Sequence, residues 1–425
     1  MIAHPLRRAD GGLLLPGNRW DLVRTPVAEP EVTVIVPYYQ NLRQLQLLLE
    51  GLKLQQYPAA RFEVLVADDG SPEPLRISAM DAGGLRIRVV RQEDRGFRAA
   101  AARNLAARSA EGSVLCFLDQ DTIPAPGYLR AITRLPAVVP EAVVGGRREH
   151  VDLTNWSPTG VHHWLSGTGE APDRYAAPRW LAEAYQASAN LLHVDRLSYQ
   201  YLISAVLACS SEFFAELGGF DEGFTEYGGE DWELAHRAWN LGAVLAHEPE
   251  AVAWHDGPDW AGRGTPQERQ AAKRREKQAL LHRIPEETGP TPPDQPANVL
   301  LSWTGTDGIE VSETLRDLLG SSLNIAVYLA EPPGLVHPRV RVGEPSQTEK
   351  AQARYQMTLQ GPPGADLPSR LDRVLKHLRE PDAGQVILTD PRLRAVTSRA
   401  QARVTRWQPC FPDRDLLGDL FATAA

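Results

Sequence analysis

Val114-Leu115-Cys116-Phe117-Leu118-Asp119-Gln120-Asp121 decides the fold. The apolar run, entered from Glu111-Gly112-Ser113 and left through Ile123-Pro124-Ala125-Pro126-Gly127, reads as a strand buried on both faces of an open α/β sheet. In such sheets ligands bind beyond the carboxyl ends of the strands. Two aspartates spaced i, i+2 can meet one hard cation there. Taken alone, Asp119 and Asp121 would serve equally well as the solvated acids of a turn.

Toward the N-terminus the pattern repeats. Val32 to Val36 is a β-branched strand that Pro37 is expected to stop, and Leu42, Leu45, Leu49 and Leu52 then mark one face of a helix. Phe62 to Ala67 is the next strand, completing a βαβ unit, and it ends in Asp68-Asp69-Gly70-Ser71. A carboxylate at that tip can accept hydrogen bonds from a base or ribose; the same residues also suit a plain Asp-Gly turn. Leu85 to Val90 is a third strand, followed by an alanine-rich helix over Ala99 to Ser109 that carries Arg103. Arginines near its N-terminal half can meet a diphosphate, or can pair with acids of the protein itself.

Toward the C-terminus, Ala142 to Gly146 and Val206 to Ser211 have strand character, with an aromatic-rich stretch between them containing His150, Trp156, His162, His163, Trp164 and Trp180. These residues suit either an acceptor-binding wall or ordinary packing. The glycine-studded segment Gly218-Gly219-Phe220-Asp221-Glu222 leads to Gly228-Gly229 and then to a helix from Glu230 to Leu241 closed by Gly242. Glu230 and Asp231 fall in its first turn, where the helix dipole is expected to keep a carboxylate ionised. Val252 to Asp256 ends a further strand, and His255 at its tip can join Asp121 around a cation.

The 425-residue chain is long enough for two or three domains. Its net charge of −9 argues against a nucleic-acid binder, since no basic field is available to follow phosphates. Cys116, Cys209 and Cys410 are widely spaced and form no metal-type pair, which suits a reducing cytosol. No apolar run reaches the length of a spanning helix, so a cytoplasmic protein, able at most to dock on the inner membrane face, is expected.

These motifs, in this order and spacing, resemble those of family 2 glycosyltransferases of the GT-A fold, an α/β fold with a Rossmann-like, mostly parallel central sheet flanked by helices. The likeness covers residues 31 to about 260 and is strongest to the bacterial glycosaminoglycan-polymerase type with a galactosyltransferase-like C-terminal half. The resemblance implies that Asp69 meets uracil, with Pro37 and Tyr39 lining that pocket, and that Arg98 and Arg103 support the nucleotide. Asp119 would serve the ribose, donor sugar or metal, and Asp121 and His255 the metal, Mn²⁺ or Mg²⁺. Asp231 would be the base and Glu230 an acceptor contact. Gln40 departs from the asparagine that the family often carries.

The implied activity is metal-dependent, inverting transfer from a UDP-sugar to a glycan, lipid-linked or small-molecule acceptor. Two alternatives are a catalytically silent nucleotide-sugar-binding scaffold and a sugar nucleotidyltransferase. The latter would want a glycine-rich basic loop where Pro37-Tyr38-Tyr39-Gln40 stands.

The organisation expected is an N-terminal arm over the domain surface (1–30), a transferase domain (31–262), a charged helix and Pro-rich linker (263–296) and a smaller C-terminal α/β domain (297–425). Thr265-Pro266-Gln267-Glu268 is a capping box that opens the charged helix, whose Lys273-Arg274-Arg275 reads as a solvated face or as a contact to an anionic membrane or acceptor. Asn298 to Trp303 and Ile325 to Leu329 repeat the opening strand order, and Gln385 to Pro391 echoes the strand into Asp119. The C-terminal part therefore reads as a degenerate second GT-A-like half, serving as scaffold, dimer surface or acceptor platform, or as an unrelated small domain.

Overall fold

A computed structural model describes residues 2–23, 29–259, 262, 264–286, 292, 294–305, 311–363, 366–379, 383–387 and 393–424. The Leu388 to Pro391 end of the last proposed strand and residues 287–291 and 293 of the Pro-rich linker lie outside the described residues.

The elements in chain order begin with a small hairpin, β1 (Leu6–Arg7) and β2 (Leu13–Leu14). The first large domain follows with β3 (Val32–Tyr38), α1 (Leu42–Lys53), β4 (Phe62–Asp68), β5 (Ile87–Arg91), α2 (Ala99–Ser109), β6 (Val114–Leu118), β7 (Thr122–Pro124) and α3 (Tyr128–Thr133). It continues through β8 (Ala142–Val151), α4 (Pro158–Leu165), β9 (Arg174–Tyr175), α5 (Arg179–Ala187), β10 (Val206–Ser210), α6 (Ser211–Leu217), α7 (Glu230–Asn240) and β11 (Val244–Asp256). Helix α8 (Pro266–Leu281) follows and packs beside the start of α7.

The sheet runs β5-β4-β3-β6-β10-β8-β11-β7, with β9 beside β8. Its first four strands are all parallel, as expected of βαβ units. From β6 onward it is mixed, because β10 runs antiparallel to both β6 and β8. Every residue of β4 and β6 is buried, and separate apolar clusters fill the two faces of the sheet. Helix α2 lies on one face through Ala100, Ala102 and Ala106, whose small side chains let the helix approach closely.

Pro37 does not stop its strand. The ladder from β3 to β6 already ends at Ile35, so no donor is required on that side and the chain stays in the sheet through Tyr38.

The second domain contains β12 (Val299–Thr304), α9 (Ser312–Gly320), β13 (Ile325–Leu329), β14 (Val340–Val342), α10 (Gln347–Gln352), β15 (Tyr355–Gln360) and α11 (Leu367–Leu378). After these come β16 (Ala383–Ile387), β17 (Leu393–Thr397), α12 (Ser398–Trp407), α13 (Leu416–Leu420) and β18 (Ala422–Ala424). Its sheet order is β14-β13-β12-β15-β17-β16-β18. Tyr355–Gln360, not the strand at Gln385, therefore occupies the place that β6 holds in the first sheet. Its alternating burial disguises it as an edge-like, half-polar strand.

The N-terminal segment is not draped over a surface. Leu14 and Leu15 are wholly buried, and Leu14 packs with Ala400, Trp407, Leu416, Leu420 and Phe421 of the second domain. Asn18 donates to the carbonyls of Leu191 and Leu245 at 2.6 and 2.7 Å, and Arg403 donates to those of Leu15 and Gly17. Residues 13–18 are thus a wedge between the two domains.

Candidate active site

The parallel strands β3, β4 and β6 bring their carboxyl ends side by side on one edge of the sheet, where a ligand crevice is expected. At the tip of β4 the two aspartates divide their work. Asp68 is fully buried and braces the turn, accepting from the Ser71 amide at 2.8 Å and the Leu75 amide at 3.1 Å. Asp69 accepts from Gln92 Nε2 at 2.5 Å and from the Arg98 amide at 2.9 Å; burial pushes its carboxyl upward against these two donors. Gly70, directly after Asp69, has φ +84°, and a Cβ there would stand 2.3 Å from the Asp94 nitrogen, so only glycine fits.

Pro37 and the half-exposed Tyr39 stand at the carboxyl end of β3. The Tyr39 amide donates to Gln120 Oε1 at 2.9 Å, which ties the tip of β3 to the tip of β6. Gln40 adopts φ +55°, a left-handed conformation that asparagine tolerates better than glutamine, and its amide donates to Ser71 Oγ at 3.0 Å.

Arg103 is the hub of the acids. Its Nη2 donates to Asp119 Oδ1 at 2.7 Å and its Nη1 to Glu230 Oε1 at 3.2 Å, with the guanidinium 5.2 Å above the Phe220 ring. Burial opposes the charge, but the two carboxylates outweigh it and hold the guanidinium above its ordinary value. Arg103 therefore engages the protein's own acids. Arg98 turns its guanidinium toward Glu222, at 3.5 Å.

Asp121 and His255 meet through strand pairing. The antiparallel β7–β11 ladder sets His255 opposite Thr122, and His255 Nδ1 lies 3.1 Å from Asp121 Oδ1. His150, in register with His255 on the parallel neighbour β8, stands edge-on to it at 5.2 Å between centroids. Burial, then Arg148, lowers its pKa to about 4, and its buried Nε2 has no hydrogen-bond partner. Among the described residues no group of three or more His, Cys, Asp or Glu side chains converges as a complete metal cage.

Helix α7 begins from Gly229, which caps it in the left-handed conformation at φ +96° and offers no side-chain acceptor. The first turn instead carries Glu230, Asp231 and Glu233. Glu230 is buried, with Oε2 unpartnered. The reading that the dipole keeps Asp231 ionised is corrected: burial, then the neighbouring Glu230, push its carboxyl up to about 7, against the Trp232 amide and Arg103.

Residues to which the sequence assigned no role hold this site together. Asn104 donates to the Phe220 carbonyl at 2.8 Å and accepts from the Phe220 amide at 2.9 Å, fixing the glycine loop to α2. Gln92 and Gln120 orient the two strand tips, and Glu276 of α8 acts electrostatically on Asp231. Of the aromatic stretch, Trp156 and Trp164 pack with Trp254 in a small core beside β11, while Trp180 is exposed.

Residues 33–187 match the glycosyl transferase family 2 model, and residues 186–250 match that for the N-terminal domain of galactosyltransferase. The likeness to family 2 glycosyltransferases thus covers residues 33–187, and the galactosyltransferase-like part follows directly on it. The chain is 27% identical over 297 residues to a chondroitin synthase of Escherichia coli, covering 66% of this chain and 43% of that protein. It is 33% identical over 219 residues to validoxylamine A glucosyltransferase of Streptomyces hygroscopicus subsp. jinggangensis, covering 49% of this chain and 51% of the relative. The chain thus spans about half or less of the length of these relatives. Among solved structures, TarS of S. aureus in complex with UDP-GlcNAc is 20% identical, with 60% of this chain and 68% of that chain covered and a TM-score of 0.42.

Proposed function

We propose that the chain transfers a sugar from a UDP-sugar to a hydroxyl of a glycan, lipid-linked or small-molecule acceptor, with inversion and with Mn²⁺ or Mg²⁺ as cofactor. The observation that carries this is the crevice where His255 comes within 3.1 Å of Asp121, beside the Asp119–Arg103–Glu230 bridge.

The residues present fit a hard divalent cation. A carboxylate and an imidazole already face one another, and Asp119 stands two residues from Asp121, so oxygen donors of a diphosphate are what the set lacks. The cation, when bound, supplies neutralisation of the charge that develops on the leaving diphosphate.

The rest is done by the chain itself. Asp69 and Tyr39 hold the base end of the nucleotide, and Arg103 keeps Asp119 and Glu230 oriented toward the crevice. Asp231 accepts the proton of the acceptor hydroxyl as that oxygen bonds to the anomeric carbon, and the carbon–oxygen bond to the diphosphate breaks on the opposite face. A carboxyl held at about 7 suits this role near neutral pH. A nucleoside diphosphate and a glycoside of inverted configuration leave.

No helix among the described residues is long and apolar enough to cross a membrane.

The experiment is turnover of a UDP-sugar panel with candidate acceptors, followed by NMR of the first-formed product. An α-linked donor yielding a β-linked product supports the reading, whereas retained configuration rules out Asp231 as an inverting base.

A further inference from the structure

We propose that the C-terminal domain is a second, catalytically silent copy of the transferase fold that clamps helix α7 and so positions Glu230 and Asp231. This rests on the reading of Asp231 as the base.

The two sheets share one plan. Ranked by position in the chain, the strands β14-β13-β12-β15-β17-β16-β18 follow the same permutation as β5-β4-β3-β6-β10-β8-β11. Directions agree as well. In both sheets the first four strands are parallel, the next two joints are antiparallel and the last is parallel. The ligand-bearing tips differ. Where β4 ends in Asp68 and Asp69, β13 ends in Leu329 followed by Ala330 and Glu331. Where β6 leads to Asp119 and Asp121, β15 leads through Gln360 to Gly361 and Pro362.

The clamp is written in helix ends. The last carbonyls of an α-helix lack partners within the helix and must find donors elsewhere. Those of α10 find them on α7: His236 Nε2 lies 2.9 Å from the Gln352 carbonyl, and Asn240 Nδ2 donates to the carbonyls of Ala351 at 2.9 Å and Gln352 at 3.1 Å. The exchange is reciprocal. Beyond the end of α7, the Leu241 carbonyl accepts from Arg406 Nη2 at 2.8 Å and the Ala243 carbonyl accepts from Arg399, both on α12. The Arg399 guanidinium also lies 4.0 Å above the Trp239 ring.

Helix α7 is therefore gripped at its C-terminal half by the second domain while its first turn carries the acids. At its N-terminal end Gly229 caps it, Glu230 pairs with Arg103, and Lys273 of α8 lies 4.9 Å above the Trp232 ring. A rigid helix transmits the grip, so a displacement at Asn240 is felt at Asp231.

The test uses the full chain with Asn240→Ala, and with Arg406→Ala as the milder variant should the first not fold. Hydrogen–deuterium exchange is measured in each, alongside kcat and donor KM. We expect exchange across residues 230–235 to rise about tenfold while β3, β4 and β6 keep their protection. With it, kcat should fall about tenfold to a hundredfold at unchanged donor KM. Unchanged exchange at 230–235 overturns the clamp, and so does a uniform rise across the chain, which marks a merely structural interface. A wild-type chain that binds no UDP sinks the transferase reading, while the exchange pattern still decides the clamp.

Discussion

Arg103 Nη2 lies 2.7 Å from Asp119 Oδ1, and its Nη1 simultaneously holds Glu230, so one guanidinium joins the strand-end acid to the helix-end acid. Lysine cannot reproduce that fork. We expect Arg103→Lys to lower kcat about a hundredfold and Arg103→Ala to lower stability as well, since two carboxylates lose their partner. Steady-state kinetics and thermal unfolding check the pair; a fully active Arg103→Lys enzyme would remove Arg103 from the site's architecture.

As the proposed base, Asp231 is expected to set the pH dependence. With its carboxyl at about 7, kcat should fall with unit slope below that pH, and Asp231→Asn should abolish turnover while leaving UDP binding intact. Its stability effect has the opposite sense from that of a salt-bridged acid. The folded pKa lies above the unfolded value, so the folded state holds the extra proton between about 4 and 7, and stability is lost as pH rises through that window. At pH 8, Asp231→Asn should unfold about 2 kcal/mol harder than the wild type, a figure discounted for partial solvent screening. Equal denaturation midpoints at pH 5 and pH 8 for both proteins would contradict this.

Gly70 tests the nucleotide end of the crevice. Its φ of +84° and the 2.3 Å approach to Asp94 leave no room for a methyl group. Gly70→Ala should cost about 2–3 kcal/mol and weaken UDP binding by displacing Asp69. Calorimetric binding together with urea unfolding reads both effects, and wild-type values for both would show that the turn has slack.

Glu141 and Arg403 form a salt bridge at 3.3 Å with neither side chain exposed, joining the two domains beside Trp407. Burial lowers the Arg403 pKa. Removing one partner strands the other, so Glu141→Ala should destabilise by about 3–5 kcal/mol, whereas the double replacement Glu141→Leu with Arg403→Met should recover part of it. Chemical denaturation of both variants provides the check, and a double replacement no more stable than Glu141→Ala would show that the charges do not act as a pair.

Much of the first domain was legible because its signals are local. The alanine run of α2, the Gly229 and Gly242 brackets of α7 and the capping box at Thr265 each specify an element by itself. The acids at the strand tips were legible for the same reason: a buried apolar run ending in carboxylates is visible without tertiary contacts. The hidden part depends on distant segments. Gln92, Asn104 and Gln120 act through partners 23 to 118 positions away, which no local pattern encodes. The raised pKa of Asp231 comes from burial and from Glu230, with a smaller contribution from Glu276 on a helix that begins thirty-five residues later, and so the dipole argument missed it. In the second domain the half-polar alternation of Tyr355–Gln360 concealed the strand equivalent to β6, and the duplicated plan emerged only from strand order. The wedge at residues 13–18 was read as surface because the N-terminal segment is turn-rich and weakly patterned, although its three leucines are buried, two of them wholly.

The most direct measurement is calorimetric titration of UDP and UDP-sugars into the full chain, with Mn²⁺ and with chelator, repeated with Asp121→Ala and His255→Ala. Binding that requires the metal in the wild type and is lost in both variants is the expected result, and the tightest sugar nominates the donor. Binding of equal strength with chelator, or in either variant, would contradict a cation held by Asp121 and His255.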